Sequence, residues 1–418
     1  MRGNINSVDL PSILPLKKRE ETQNRWLFHR LNTLLPQLMK KNNLHMWIVV
    51  GREYNEDPVL KTLYPSSIDG SRRLTILVFY LNEDDHLKRC VIHPNPSFEP
   101  FYERIWEQEY DQWESLRRVV EKVNPNSIGL NYSHSLAACD GLSHSHFEHL
   151  SMVLDEFTDK FVSAQNVIID WLSIRSRKEM IAYPMIAELA RGLAEEALSN
   201  AVIHPGISTT EDVVDWIRQR VLDLGIETSF FPTVDIQRRG SDRDRLEGEI
   251  IRQGDIIHLD FGIQYLGLST DTQQLAYVLE TGEKEPPAGI QDAFKTALRF
   301  EDLLSNEMKA GRTGNEVFKR AKAKAREEEI EAMIYSHPLG VHCHETGAVI
   351  GLYDHQDEVP IRGDLPLTSN TIYAMEFNIK QFIPEWNQFV PIYLEEPVAL
   401  INDKVEFMAK RQTTFYLI

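Results

Sequence analysis

Three histidines, His337, His342 and His344, stand within eight positions of one another in the segment YSHPLGVHCHETG at 335–347. Imidazoles at that density serve as metal ligands, as a catalytic acid and base, or as members of a polar loop. The segment leaves these open, so partners elsewhere in the chain must decide. Asp260 lies in IIHLDFG, and Asp271 follows eleven residues later in LSTDTQQLAYV. A strand, a tight connection around Tyr265–Gly267 and a returning strand would set the two carboxylates side by side. Two buried carboxylates repel each other and lose hydration, which costs several kcal/mol unless a cation lies between them. Taken singly, each aspartate also fits an N-cap, a turn or a salt bridge.

Glu376 in YAMEFNI and Glu395 in IYLEEPV stand mid-strand among apolar residues, where acidic side chains are disfavoured. With Asp260, Asp271 and His337 they make four carboxylates and one imidazole. Such an oxygen-rich set suits Mn²⁺, with Co, Fe and Zn as alternatives. Five ligands are too many for one structural zinc, but they suit two divalent ions sharing bridging carboxylates. Glu396 is the rival of Glu395, because Pro397 can mark an edge or bulge that changes which carboxylate points inwards.

These side chains need a scaffold, and 418 residues suggest two domains rather than one core. A composition of 42% hydrophobic and 26% charged residues is that of a globular protein. The net charge of −18 argues against nucleic acid and anionic lipid as partners. Three scattered cysteines, Cys90, Cys139 and Cys343, supply neither a disulfide framework nor a CxxC zinc site. The opening MRGNINSVDLPSILPLKK has no continuous apolar run of signal-peptide type, and no stretch is apolar enough to span a membrane. A reducing, cytoplasmic setting is therefore expected.

Helical spacing over 21–41, with short apolar runs at 46–51, 74–81, 90–94 and 127–132, predicts an α/β domain with a partly parallel sheet over residues 1–168. Long amphipathic helices are predicted over 175–203, 209–225, 289–309 and 314–332. The first of them is expected to bend near Pro184 and to stop at His204–Gly206. Strands are predicted at 255–262, 273–280, 371–380 and 391–400. Residues 169–418 thus read as an α+β second domain.

With these residues in place, the sequence resembles the metal-dependent peptidases that include aminopeptidase P, prolidase and methionine aminopeptidase. The order Asp, Asp, His, Glu, Glu is matched by Asp260, Asp271, His337, Glu376 and Glu395. The spacing of the two aspartates matches too, as does Gly254–Asp255 before the first. HPLGVHCHETG also follows the family register, with Leu339–Gly340 after the ligand histidine and then His344, Glu345 and Gly347. The resemblance implies a pita-bread catalytic domain over 169–418, preceded by a smaller creatinase-like domain over 1–168. It implies two divalent metal ions, bridged by Asp271 and Glu395, with Asp260 on one and His337 and Glu376 on the other. It further implies attack by a metal-bridging hydroxide, Glu376 as proton shuttle and His344 as the donor to the carbonyl oxygen. The expected activity is cleavage of short peptides, of Xaa-Pro aminopeptidase or dipeptidase type, by a homodimer. A related hydrolysis of a small non-peptide amide, and a non-catalytic binding role on the same fold, stand as alternatives.

Three departures from the family pattern are visible at positions expected to face or flank the substrate. Met333 and Arg243 stand where proline-specific members carry histidines, and Tyr393 stands where they carry arginine. Arg238, Arg239, Arg243 and Arg245 form either a solvated loop or a clamp for a substrate carboxylate. His342 fits a supporting or a surface position. His258 either lines the site or packs as a polar side chain. Cys343 is either a small buried filler or a reactive thiol.

Overall fold

Apolar alternation explains why the sheets form where they do. In the first compact unit, Leu14–Leu172 of the computed structural model, Ile48, Val50, Ile76 and Val78 recur at every second position. They pack with Leu116, Val120 and Leu150 from two helices. The resulting six-stranded sheet runs, in spatial order, Glu103–Arg104, Leu87–Ile92, Thr75–Leu81, Met46–Gly51, Ile128–Leu130 and Phe161–Ser163. Met46–Gly51 pairs antiparallel with Thr75–Leu81 and parallel with Ile128–Leu130, so the sheet is mixed. The structure describes residues 8, 10–107, 109 and 111–418. The sequence reading of the N-terminal segment therefore falls partly outside the described residues. Among them, no helix is long and apolar enough to cross a membrane.

The second unit takes in Ser173–Ile418. Its large sheet places Glu331–Ile334, Thr371–Ile383, Gln388–Ile401, Thr272–Tyr277, Ile256–Phe261 and Thr233–Gln237 side by side, and His337–Leu339 also pairs with Thr371–Ile383. The hairpin of Thr371–Ile383 and Gln388–Ile401 keeps one register from Thr371↔Leu400 to Ile383↔Gln388. Its odd-numbered Tyr373, Met375, Phe377 and Ile379 enter the core under the helix Ala288–Glu307. Even-numbered Glu376 is left for the opposite face. On the partner strand Ile392, Leu394, Val398 and Leu400 enter the same core, so odd-numbered Glu395 shares the face of Glu376. A one-residue slip would exchange the faces, which is why the apolar pattern fixes the acids so firmly.

Capping boxes begin the helices Arg177–Ala197, Thr210–Asp223 and Gly314–Glu327, through Ser176 with Glu179, Thr209 with Asp212 and Thr313 with Glu316. Two helix ends differ from the sequence expectation. The helix Arg177–Ala197 runs through Pro184 and stops well before His204–Gly206, because Leu198 leaves helical geometry. The helix predicted over 314–332 ends at Glu327. Glu329 takes a left-handed φ of 56°, Ile330 N–H bonds back to the Ala325 carbonyl at 2.8 Å, and Glu331–Ile334 joins the sheet. Burial of Ala332 and Ile334 in the core outweighs the helical pattern there.

Phe300 is fully buried and meets Phe377 edge-on, with ring centroids 5.1 Å apart. Phe300→Ala is expected to destabilise this unit by about 3–5 kcal/mol, read as a lower urea midpoint, because the surrounding core collapses only partly into the void. Metal binding by the remaining folded fraction should be unchanged.

Candidate metal centre

Register brings the acids together. Asp260 pairs with Gln273, Gln273 with Glu395, and Glu395 with Glu376, so four strands contribute one row of side chains to one face. Directly opposed residues on one face hold their Cβ atoms about 4.5–5.5 Å apart. Asp271 precedes its strand and reaches the same place through a small hairpin. Ile263–Tyr265 pairs with Leu268–Ser269 around Leu266 and Gly267, whose φ values are 55° and 74°, the geometry of a two-residue hairpin turn. Gly262 is required beside it, since a Cβ there would collide with the Thr270 carbonyl. His337 pairs with Ala374, two residues before Glu376.

The result is three overlapping groups: Asp260, Asp271 and Glu395; His337, Glu376 and Glu395; and Asp271, His337 and His344. Within each group the ligand atoms lie within 4.8 Å of one another. His337 Nδ1 donates to the Pro338 carbonyl at 3.1 Å, which leaves Nε2 unprotonated and free to coordinate. That Nε2 lies 3.6 Å from Asp271 Oδ2 and 3.9 Å from Glu376 Oε2. His337 Nε2, Asp271 Oδ1 and both Glu395 oxygens are buried without a hydrogen-bond partner. Buried polar atoms are almost always satisfied, so four orphans on three adjoining residues mark a place for a cation. Oxygen donors with a single nitrogen fit a divalent ion there.

Electrostatics agree. Burial raises Asp260, Asp271, Glu376 and Glu395 above the ordinary carboxylate range, and mutual repulsion raises the last three further. Burial, His344 and Arg362 lower His337 to about 3. The signs give a prediction. A carboxylate whose folded pKa is raised holds a proton that the unfolded chain releases, so its stabilisation is lost as pH rises through the folded pKa. His337 acts oppositely, but only between about 3 and its ordinary 6.5. Chelated protein is therefore expected to lose melting temperature as pH rises above 6.5. A divalent ion at 100 times its Kd should add about 2.7 kcal/mol, or roughly 5–10 °C. That gain should widen with pH, because coordination displaces the carboxylate protons. Melting curves with and without chelator at several pH values check both trends.

The histidine loop is tied by Glu345, which is fully buried. Its carboxylate accepts the backbone N–H groups of Val341, His342 and Thr346 at 3.1, 3.2 and 2.8 Å. His344 is thereby exposed at the wall of a cavity of about 470 Å³, its ring centroid 4.4 Å from that of His337. His342 turns away from these groups and meets Glu345 at 3.3 Å. Glu396 points to the other side of its strand and accepts the Gln412 N–H at 2.8 Å.

Cys343 is only half-buried, and its Sγ lies 3.0 Å from Asp271 Oδ2. Burial and the neighbouring acids push its thiol upwards, against the thiolate that reactivity requires. The arginine cluster is divided. Arg238 pairs with Asp255 and Glu249, and Arg245 pairs with Asp235 while lining the cavity. Arg239 and Arg243 are exposed. Met333 and Arg243 are not among the cavity-lining residues, whereas Tyr393 is, so only one of the three departures reaches the wall. Sequence reasoning missed Tyr335, Tyr353 and Arg362, which also line the cavity. Tyr353 and Arg362 fall in segments without periodic or spacing signals, and Tyr335 stands at the head of the histidine segment, where only the imidazoles drew a reading.

Residues 186–405 match the profile of metallopeptidase family M24. A sequence search of curated proteins finds no match. Among solved structures, the chain resembles an X-Pro aminopeptidase from Thermotoga maritima, with 18% identity and a TM-score of 0.67 over 91% of this chain and 100% of that one. An Xaa-Pro dipeptidase from Bacillus anthracis gives 15% identity and 0.62, covering 96% and 100%. The N-terminal domain of the FACT complex subunit SPT16 from Cicer arietinum gives 10% and 0.60, covering 92% and 96%. The fold is thus the pita-bread architecture with an N-terminal domain, as the resemblance implied.

Proposed function

Because the chain belongs to metallopeptidase family M24, we propose that it hydrolyses short peptides at a dinuclear metal centre, with Xaa-Pro bonds as the preferred substrates. The observation that carries this reading is the set of orphaned, buried ligand atoms on Asp271, His337 and Glu395, next to an open cavity that Asp260, His337 and Glu376 line. Asp260, Asp271, His337, Glu376 and Glu395 would hold two divalent ions, Mn²⁺ first among them. When bound, such ions polarise a carbonyl oxygen and lower the pKa of water towards about 7.

The chain's own groups do the rest. Glu376 stands beside the cluster, yet its carboxylate is partly open to the cavity, as a group that takes a proton from water and returns it to the leaving amine must be. Desolvation at the cavity wall and the Arg362 cation lower His344 below its ordinary 6.5. It is therefore neutral at pH 7 and donates one N–H to the carbonyl oxygen as charge builds there. Arg362 lines the cavity with no acidic partner within ion-pair distance among the described residues, and its guanidinium donates to the Glu345 carbonyl at 3.2 Å. A substrate carboxylate fits that fork, which favours a dipeptide over a longer chain.

The same cation and the tyrosine-rich wall of Tyr335, Tyr353 and Tyr393 also suit a small amide that carries a carboxylate. One panel separates the readings: Xaa-Pro dipeptides, Xaa-Pro tripeptides and N-acyl amino acids, each assayed with added Mn²⁺. Fastest turnover of a dipeptide supports the proposal, and turnover of the N-acyl compounds alone replaces it. No turnover of any member would sink it.

A further inference from the structure

Gln273 occupies the middle of the acidic row, paired on one side with Asp260 and on the other with Glu395. A neutral amide at that place spares the cluster a further charge, but any apolar side chain would do the same. What distinguishes glutamine is what its two ends touch. Its Nε2 donates to Glu376 Oε1, and its Oε1 meets His258 Nε2 at 3.0 Å. A Glu376 carboxylate ionised on holding a cation can only accept, so the amide then has one orientation: nitrogen to Glu376, oxygen to His258. His258 must then donate from Nε2. Its Nδ1 meets Asp235 Oδ2 at 2.9 Å, and the same Asp235 oxygen takes Arg245 Nε at 2.8 Å.

All three supporting side chains are buried, with Gln273 at 3%, His258 at 1% and Asp235 at 0% exposure. Tyr393 covers His258 with ring centroids 4.8 Å apart. The backing therefore has no freedom to turn. Arg245 and Asp235 hold His258, His258 holds the amide oxygen, and the amide nitrogen holds one oxygen of Glu376. The other Glu376 oxygen faces His337 at 3.9 Å.

We propose that Gln273 is the positioning residue of Glu376: its amide, fixed from behind by His258, Asp235 and Arg245, aims the Glu376 carboxylate at the reacting centre. Its kinetic arm rests on the hydrolase reading above, while its structural arm does not. The variants are Gln273→Leu, His258→Leu, His258→Gln and the double leucine variant. Each is crystallised with Mn²⁺ and titrated calorimetrically with the same ion.

Gln273→Leu and His258→Leu are expected to turn the Glu376 carboxylate from its wild-type position. His258→Gln, whose amide nitrogen can replace Nε2 as donor, should restore it. Where wild type cleaves a peptide, kcat should fall roughly 10–100-fold in both leucine variants, with KM and metal stoichiometry unchanged. The double variant should be no worse than the worse single one, because both act through one bond. An unmoved Glu376 carboxylate in Gln273→Leu, or losses that multiply in the double variant, would overturn the assignment. A wild type that cleaves nothing would refute the hydrolase reading, and the position of Glu376 in the crystals would still decide this one.

Discussion

Asp271→Asn is expected to lower peptide turnover by about 10³-fold or more while making the metal-free protein more stable at neutral pH. The first effect follows from the chemistry a divalent pair supplies, several kcal/mol of charge stabilisation at about 1.4 kcal/mol per tenfold in rate. Asp271 contributes a ligand atom to two of the three groups, one of its oxygens has no other partner, and asparagine cannot replace a carboxylate charge there. The second effect has the opposite sign because burial and the Asp260 charge oppose ionisation of Asp271. A neutral isostere removes that opposition. Metal content per chain, turnover and melting temperature with chelator test the pair of claims together. Full activity with normal metal content would remove Asp271 from the centre.

His344→Ala separates chemistry from coordination. If His344 donates to the developing oxyanion, its loss should lower kcat by about 10²–10³-fold with metal content intact. His344 also belongs to the group of Asp271 and His337, and a ligand role would instead show as weaker metal binding. The fold should not respond, because the side chain is exposed and the three backbone bonds to Glu345 remain. Calorimetric metal titration beside steady-state kinetics distinguishes the two roles.

How far the sequence spoke differs from element to element. Glu376 and Glu395 were legible because a carboxylate inside an apolar strand violates the local pattern. In the sequence only the family alignment prefers Glu395 to Glu396, whereas in the structure parity puts Ile392, Leu394 and Glu396 on the other face. The helix over 314–332 was overextended because helical spacing continues past Glu327, and only pairing with Thr371–Ile383 turns that tail into a strand. The cavity wall was the least legible part. Arg362 and Tyr353 come from irregular segments, and nothing local marks a side chain that a distant sheet will face. Gln273 is a similar case: glutamine after TDT carries no signal until the register places it between two acids.

The long hairpin also has a bearing on how the molecule assembles. It carries Glu376 and Glu395 opposite one another, close in sequence and locked by a continuous ladder. Contacts between neighbours in sequence form sooner than those closing large loops. Two of the five proposed ligands can therefore meet while the aspartate-bearing strands are still apart, so affinity for a cation should arise late, as a sign that the far side of the sheet has docked.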